Sequence, residues 1–262
     1  MINKKIMQYC VGHKEPLFSP KTSYTHVSPF AFPDIDQLII PDDSMGEKFH
    51  GNYISEYIQL FGLAEFLKDL SGSEKLHIFQ YRKFISFKRS SQKSTNQPYS
   101  YISTPEDAIH LFPSQDELLG LEDRLLVGPA IKLRSMAHNY AQIHLAEDFS
   151  KFILSLSTLR GFNAKRCEDF IDCMLLIPAP SLGVTRIDIF LKQMEILKSV
   201  WDHFSSNFLK NRNGYQRRVG GFLLERLHSF LLIEEINISR TFKVTQGNQI
   251  VISNTPIISH TI

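Results

Sequence analysis

The sequence predicts a single α/β domain in which a central, mostly parallel sheet is flanked by helices, and three observations carry that expectation. Short apolar runs rich in β-branched and aromatic residues are bounded by Gly, Pro or polar residues, as buried strands are: IMQYCV at 6–11, LHIFQYRKFISF at 76–87, RLLV at 124–127 and CMLLI at 173–177. Longer stretches between them repeat apolar residues at helical spacing. One of these, Asn52 to Leu70, leads directly into the strand beginning at Leu76, which gives the strand, helix, strand order of a parallel sheet.

In chain order, Ile6 to Val11 is a first buried strand, with Gly12, His13 and Lys14 on the loop at its carboxyl end. His13 is either a ligand-facing loop histidine or a loop residue with no role. The prolines and hydroxyl residues of 19–33 make an irregular excursion with an extended piece near Tyr24 to Val27, and Gln37 to Ile40 is a further short strand. The adjacent acids Asp42 and Asp43 sit in Pro-Asp-Asp-Ser before Gly46, which is turn chemistry rather than a metal motif. In Asn52 to Leu70, Asn52 can cap the helix, Gly72 follows its end, and Glu56 in the first turn suits the helix dipole.

The Leu76 run reads as one strand with Gln80, Tyr81, Arg82 and Lys83 at its middle. In open α/β sheets ligands bind beyond the carboxyl ends of the strands, so a strand changing from HIF to QYRK can deliver two cations to a crevice, where they suit a phosphate or diphosphate. The same cations could simply mark where an edge strand leaves the core. The polar stretch Lys88 to Ser103 predicts a mobile loop and a candidate lid. Thr104-Pro105-Glu106-Asp107 starts a helix, and Ser114 with Glu117 has capping-box spacing.

Ser135 to about Ser157 predicts one long amphipathic helix, on which Tyr140, His144 and Asp148 share a stripe. They are either an active-site face, with Asp148 orienting His144, or a surface pair that supports the helix; two potential ligands are half a metal site. Thr185 to about Phe208 is a strong amphipathic helix whose stripe, including Ile187, Phe190, Met194, Leu197, Trp201 and Phe204, is core. In Tyr215 to Ile233, Arg217, Arg218, Glu225 and Arg226 interrupt an apolar helix, and the Glu225-Arg226 couple is either a buried ion pair or a site. The tail from Ile236 to Ile262 suggests a hairpin turning at Gly247-Asn248.

Composition narrows the classes. With 43% apolar and 21% charged residues in 262, the chain can bury one sizeable core. Its 29 basic residues against 27 acidic give a net charge of +2, which argues against general nucleic-acid binding; the Lys88 to Lys93 patch is a weak exception. Cys10, Cys167 and Cys173 match no zinc or disulfide framework and fit reduced core residues of a cytoplasmic protein. The first residues do not read as a signal peptide, and no segment has the roughly 18 to 20 apolar residues of a membrane span.

Four separated stretches together resemble the bacterial domain of unknown function 4422 family, found in glycosyltransferases of capsular polysaccharide, exopolysaccharide and O-antigen synthesis. A strand ending in His-Lys is matched by YCVGHK, and a YxELTGLYWxW helix leading to an HYRRYF strand is matched by NYISEYIQLFGLAEFL and IFQYRKFISF. Glu56, Tyr81 and Arg82 match; Gln80 replaces the histidine, Lys83 an arginine, and the WxW aromatics are missing, as in a divergent member. NYAQIHLAED matches a QYxxxH segment with a following Asp, and RRVGGFLLERL matches the closing Arg-GFLxERL signature, so the similarity spans about residues 6–235 and leaves 236–262 as a C-terminal extension.

The resemblance implies a GT-A-like single domain with a C-terminal helical or hairpin extension. It implies transfer of a sugar from a nucleotide donor, foremost a UDP-sugar with galactose in pyranose or furanose form as candidate, to a growing cell-surface glycan or lipid-linked glycan. No DxD motif follows the central strand. Arg82 and Lys83 would then neutralise the leaving diphosphate, while a divalent cation, Mn or Mg, stays open as a cofactor. Glu225 is the expected catalytic base, with Asp148 competing for the role. His13, Lys14, Glu56, Tyr81, Tyr140, His144, Arg218 and Arg226 would line the substrate site. The enzyme would be cytoplasmic, with peripheral inner-membrane contact as a further expectation. The rival is a catalytically silent donor-binding or scaffold subunit of a polysaccharide assembly complex, suggested by Gln80.

Overall fold

A computed structural model of the chain describes residues 6–70, 74–95, 100–238 and 243–253. It has the expected α/β architecture, with helices packed on a central sheet of eleven strands among the described residues. Strand β1 (Ile6–Val11) occupies the predicted span, followed by β2 (Thr25–Ser28) and β3 (Gln37–Ile39). A short helix α1 (Gly51–Ile54) and the longer α2 (Tyr57–Leu67) then cross back to β4 (Lys75–Gln80). These four strands form a parallel block in the order β3-β2-β1-β4, with β1 and β4 in register from Ile6 against Lys75 to Val11 against Gln80. Their carboxyl ends therefore lie together.

The helix expected from Asn52 to Leu70 is two helices, because Ser55 takes a left-handed backbone (φ 57°, ψ −137°) that no helix can propagate through. The run LHIFQYRKFISF is likewise not one strand. It is a hairpin in which β4 turns through Tyr81 and Arg82 into β5 (Lys83–Ser86). The apolar flanks on both sides of the turn are buried on both sheet faces, so the sequence shows no alternation to reveal the reversal. The turn is fixed by the tertiary structure: the Leu17 amide donates to Tyr81 O at 2.8 Å and the Ile252 amide to Arg82 O at 2.8 Å.

The stretch expected as a mobile loop carries β6 (Gln92–Lys93) and β7 (Ser100–Ser103), an antiparallel pair; residues 96–99 lie outside the described residues. Helices α3 (Pro105–Leu111) and α4 (Gln115–Leu119) start where their caps predict. The Thr104 hydroxyl accepts from the Asp107 amide, and Ser114 and Glu117 form the reciprocal capping box. Then come β8 (Leu125–Val127) and β9 (Ile131–Lys132). The long helix expected over 135–157 is again two, α5 (Met136–Ala141) and α6 (Ala146–Ser157), and Tyr140, His144 and Asp148 do not share one helical stripe.

Helix α7 (Ala164–Asp172), capped by Asn163, was not anticipated; neither was β11 (Gly183–Arg186), which follows the short β10 (Leu175–Leu176). Strand β11 runs antiparallel to β4 and places Gly183 so close to β8 that a Cβ there would lie on Leu126 O, at a φ of 114° that also favours glycine. Helix α8 (Ile187–Phe208) buries the predicted stripe, with Trp201 fully enclosed. Helix α9 (Val219–Ile238) follows a 3-10 segment at Gly214–Arg218.

The expected terminal hairpin is absent among the described residues. Strand β12 (Val244–Gln246) adds in parallel to β8, while β13 (Asn248–Ile252) inserts between β5 and β7. Gly247 separates them, and its amide donates to Val127 O at 2.9 Å, so Gly247-Asn248 joins two branches of the sheet rather than turning a hairpin. Residues 239–242 and 254–262 of that tail lie outside the described residues.

The main core lies between the sheet and α2, α6, α8 and α9, and a second cluster around Phe18, Phe79, Phe84 and Phe112 covers the other face. Cys10 and Cys167 are buried and Cys173 is half-buried, all as free thiols. Among the described residues no helix is long and apolar enough to cross a membrane.

Candidate functional site

The region beyond the carboxyl ends of β1 and β4 gathers several of the residues singled out in the sequence, among them His13, Lys14, Tyr81 and Arg82. Gly12 is buried where β1 leaves the sheet, and a Cβ on it would stand 3.1 Å from the Tyr81 ring, so the loop and the hairpin tip are in close contact. His13 meets Tyr81 edge-on with ring centroids 5.6 Å apart, and the Arg82 guanidinium lies 5.5 Å from the same ring. His13, Lys14 and Arg82 are exposed. Arg82 sits at the tip, whereas Lys83 opens β5 opposite Val251 of β13 and Gln80 of β4, so the two cations do not act as the expected adjacent pair. Lys83 shares the sheet face of its cross-strand neighbour Gln80.

Partial burial lowers the His13 pKa, and Lys14 and then Arg218 lower it further, while Asp42 and Glu56 oppose them. Gln80 Nε2 donates to Glu56 Oε1 at 3.1 Å. Gln80 thus orients Glu56. The left-handed turn at Ser55 presents its hydroxyl to Arg218, whose Nη2 donates to Ser55 Oγ at 2.6 Å. Gly221 allows that approach, since a Cβ there would stand 3.2 Å from Ser55 Cβ.

Arg218, Phe222 and Glu225 follow one another at helical spacing along the start of α9 and share a face. Glu225 is half-buried, and its Oε1 accepts the Ala179 amide at 3.0 Å from a residue with φ 48°. Glu225 and Glu56 both raise the pKa of the buried Tyr57, after the larger effect of burial, so both carboxylates lie near it.

A second group adjoins the first through Phe222, whose ring lies 5.8 Å from the Arg218 guanidinium and 4.1 Å from the His144 ring. Arg226 is buried beneath it. Its Nη2 donates to Asn139 Oδ1 at 2.9 Å, its Nη1 to Phe222 O at 2.9 Å, and it lies 5.1 Å from the Tyr140 ring. The Glu225-Arg226 couple is therefore not an ion pair; consecutive helix positions point the two side chains to different partners. Burial, and then Arg226, push the His144 pKa down to about 4, so it is neutral at pH 7.

Asp148 does not orient His144. It is buried in an ion pair with Arg212, and burial raises its pKa in spite of that partner. An enclosed, paired carboxylate is poorly placed to meet an acceptor hydroxyl. Four atoms of this group are buried without a hydrogen-bond partner: Tyr140 OH, His144 Nδ1, Asp148 Oδ2 and Arg226 Nε. Such a concentration of unpaired polar atoms is what a site for a polar ligand or ordered water looks like.

Sequence reasoning passed over Ser55, Asn139, Arg212 and Tyr215. Ser55 and Arg212 carry no local signal, because their roles come from partners 163 and 64 residues away. Among the described residues no three His, Cys, Asp or Glu side chains converge as a metal site. Three carboxylates here each accept one hydrogen bond from a neutral donor, Asp42 from Gln59, Glu56 from Gln80 and Glu225 from the Ala179 amide.

No protein-family model matches the sequence, and no curated protein matches it. The fold is similar to that of a solved structure described as the apo form of the bifunctional glycosyltransferase WbbM, with a TM-score of 0.74 at 16% identity over 97% of this chain. The chain spans about half of that protein's chain, 48%. The likeness supports the glycosyltransferase-like fold that the family resemblance implies.

Proposed function

We propose that the chain is a glycosyltransferase that moves a sugar from a nucleotide-sugar donor, foremost a UDP-sugar, to a growing cell-surface glycan. The observation that carries this reading is the grouping of Lys14 and Arg218 around His13, with Tyr81 and Arg82 beside it, at the carboxyl edge of parallel strands, and Glu225 about two helical turns beyond Arg218, in a fold similar to that of a glycosyltransferase. The work would take place on the cytoplasmic side, on a glycan or lipid-linked glycan brought to the protein at the inner membrane face.

In an inverting transfer the acceptor hydroxyl oxygen attacks the anomeric carbon, and Glu225 takes its proton. Glu225 Oε1 is held by the Ala179 amide, which leaves Oε2 to receive it. The bond from the anomeric carbon to the diphosphate oxygen breaks, and the leaving nucleoside diphosphate keeps the electron pair. Lys14, Arg82 and Arg218 supply the positive field for that charge, and His13, Glu56, Tyr81 and Lys83 shape the donor side. Tyr140, His144 and Arg226 lie on the other side of Phe222.

The test is a thermal-shift comparison with UDP, GDP, CMP and dTDP, with and without manganese, followed by transfer assays. One nucleotide should stabilise the protein selectively, and Arg82→Ala should remove that shift. Glu225→Gln should keep the shift and lose transfer by about 10²- to 10⁴-fold. A protein that binds nucleotide but transfers no sugar in either form would be the donor-binding scaffold instead. Folded protein stabilised by no nucleotide refutes the transferase and the donor-binding subunit and favours a scaffold that binds no donor.

A further inference from the structure

Tyr215 is 59% exposed, yet its ring is not loose. It lies 4.8 Å from the Phe222 ring and 5.9 Å from the His144 ring, and His144 and Phe222 stack nearly parallel, at 20°. Tyr215 and the half-buried Phe222 form an aromatic surface at the start of α9, while His144 is buried and stacks on Phe222 from the inside, beside the unpartnered His144 Nδ1, Tyr140 OH and Arg226 Nε. The exposed Arg218 stands at its rim, 5.8 Å from Phe222.

We propose that the Tyr215 and Phe222 rings, with the buried His144 stacked beneath Phe222, are the acceptor subsite, taking one face of a pyranose ring of the acceptor glycan. The inference rests on the glycosyltransferase reading and names the substrate of its acceptor side. A pyranose presents a face of C–H groups to the electron-rich face of an aromatic ring, while its hydroxyls need polar partners at the edge. This surface offers both. His144 is neutral at pH 7, which keeps the stack free of charge.

Position decides between acceptor and donor. Phe222 and Glu225 are three residues apart on one face of α9, a rise of about 4.5 Å, on the scale of one sugar ring. A pyranose on Phe222 and Tyr215 would lie within about one helical turn of the Glu225 position, the spacing the acceptor role requires. The donor base is separated from the anomeric carbon by a ribose and two phosphates, too far to stack one helical turn from the proton acceptor.

The test is saturation-transfer NMR on the full chain with the methyl pyranosides of galactose, glucose, mannose, rhamnose and N-acetylglucosamine, alongside the nucleotide thermal shift. At least one glycoside should receive saturation on its C–H groups from wild type. Tyr215→Ala should weaken that binding roughly fivefold, as expected for loss of one ring contact, and Tyr215→Trp should restore it. Arg82→Ala should leave the glycoside signal unchanged. Equal signals in wild type and Tyr215→Ala, or no saturation on any glycoside, overturn the proposal. So does loss of the nucleotide shift in Tyr215→Ala, which would make the surface a base platform. If no nucleotide stabilises the protein but the Tyr215-dependent glycoside signal stands, the donor reading fails and the glycan site survives.

Discussion

Replacing Arg212 with methionine should destabilise the protein in a way that depends on pH, because it strands Asp148. The two side chains are 14% and 4% exposed, so the pair is largely enclosed. Removing one partner of such a pair costs about 3–5 kcal/mol. Asp148 is the third residue of α6, where the helix dipole favours an anion by up to about 1 kcal/mol, which brings the expected loss to about 2–4 kcal/mol. For a chain of this size that lowers Tm by roughly 5 to 15 °C.

The sign of the pH effect follows from Asp148. Its folded pKa lies above the ordinary carboxylate value, with burial as the largest cause, and loss of Arg212 raises it further. The variant's penalty is thus complete above that raised pKa and is relieved as pH falls through it towards the unfolded value of about 3.9. Denaturant melts at pH 8 and pH 5 should show the gap to wild type narrowing on the acid side. Arg212→Met with Asp148→Asn should recover more than half of the loss. A gap that is constant with pH, or a loss below about 0.5 kcal/mol, the scale of an exposed pair, would refute the enclosed ion pair.

Gly220→Ala should destabilise although it sits in a helix. The new Cβ would stand 2.5 Å from the Trp201 ring and 2.7 Å from Ile54, so overpacking of about 1–3 kcal/mol outweighs the helix gain of about 1 kcal/mol; a raised Tm would contradict the α8–α9 contact. The protein should also be acid-labile through two enclosed histidines. Burial lowers His77 and His228 to about 3, while unfolding returns them to about 6.5, so stability is complete above that value and declines as pH falls towards 3. The expected slope between pH 6 and 4 is roughly 2 to 3 kcal/mol per unit, and urea midpoints constant over that range would show that the histidines are not enclosed.

Local signals marked where elements start: the Thr104 cap, the Ser114-Glu117 box and the first strand at Ile6–Val11 are found where they were expected. Local signals did not mark where elements break. The reversal at Tyr81-Arg82, the kink at Ser55 and the gap between α5 and α6 are all held by bonds or contacts to distant residues. Likewise β11 and β13 are short strands whose partners were made elsewhere in the chain.

The site divides in the same way. The sequence alone determined the α/β class, the parallel centre and the chemical types available at its carboxyl edge, because burial patterns, caps and charges are local properties of the chain. Tertiary structure alone decided which of those groups work together. It set Arg82 at a hairpin tip apart from Lys83, gave Asp148 to Arg212, turned Glu225 to Ala179, and gathered Tyr215 with Phe222 and His144. The Asp148–Arg212 and Glu225–Ala179 partners lie 64 and 46 residues apart, so these choices are settled by packing and by the cost of leaving a buried polar group unpaired, which no local window of sequence contains.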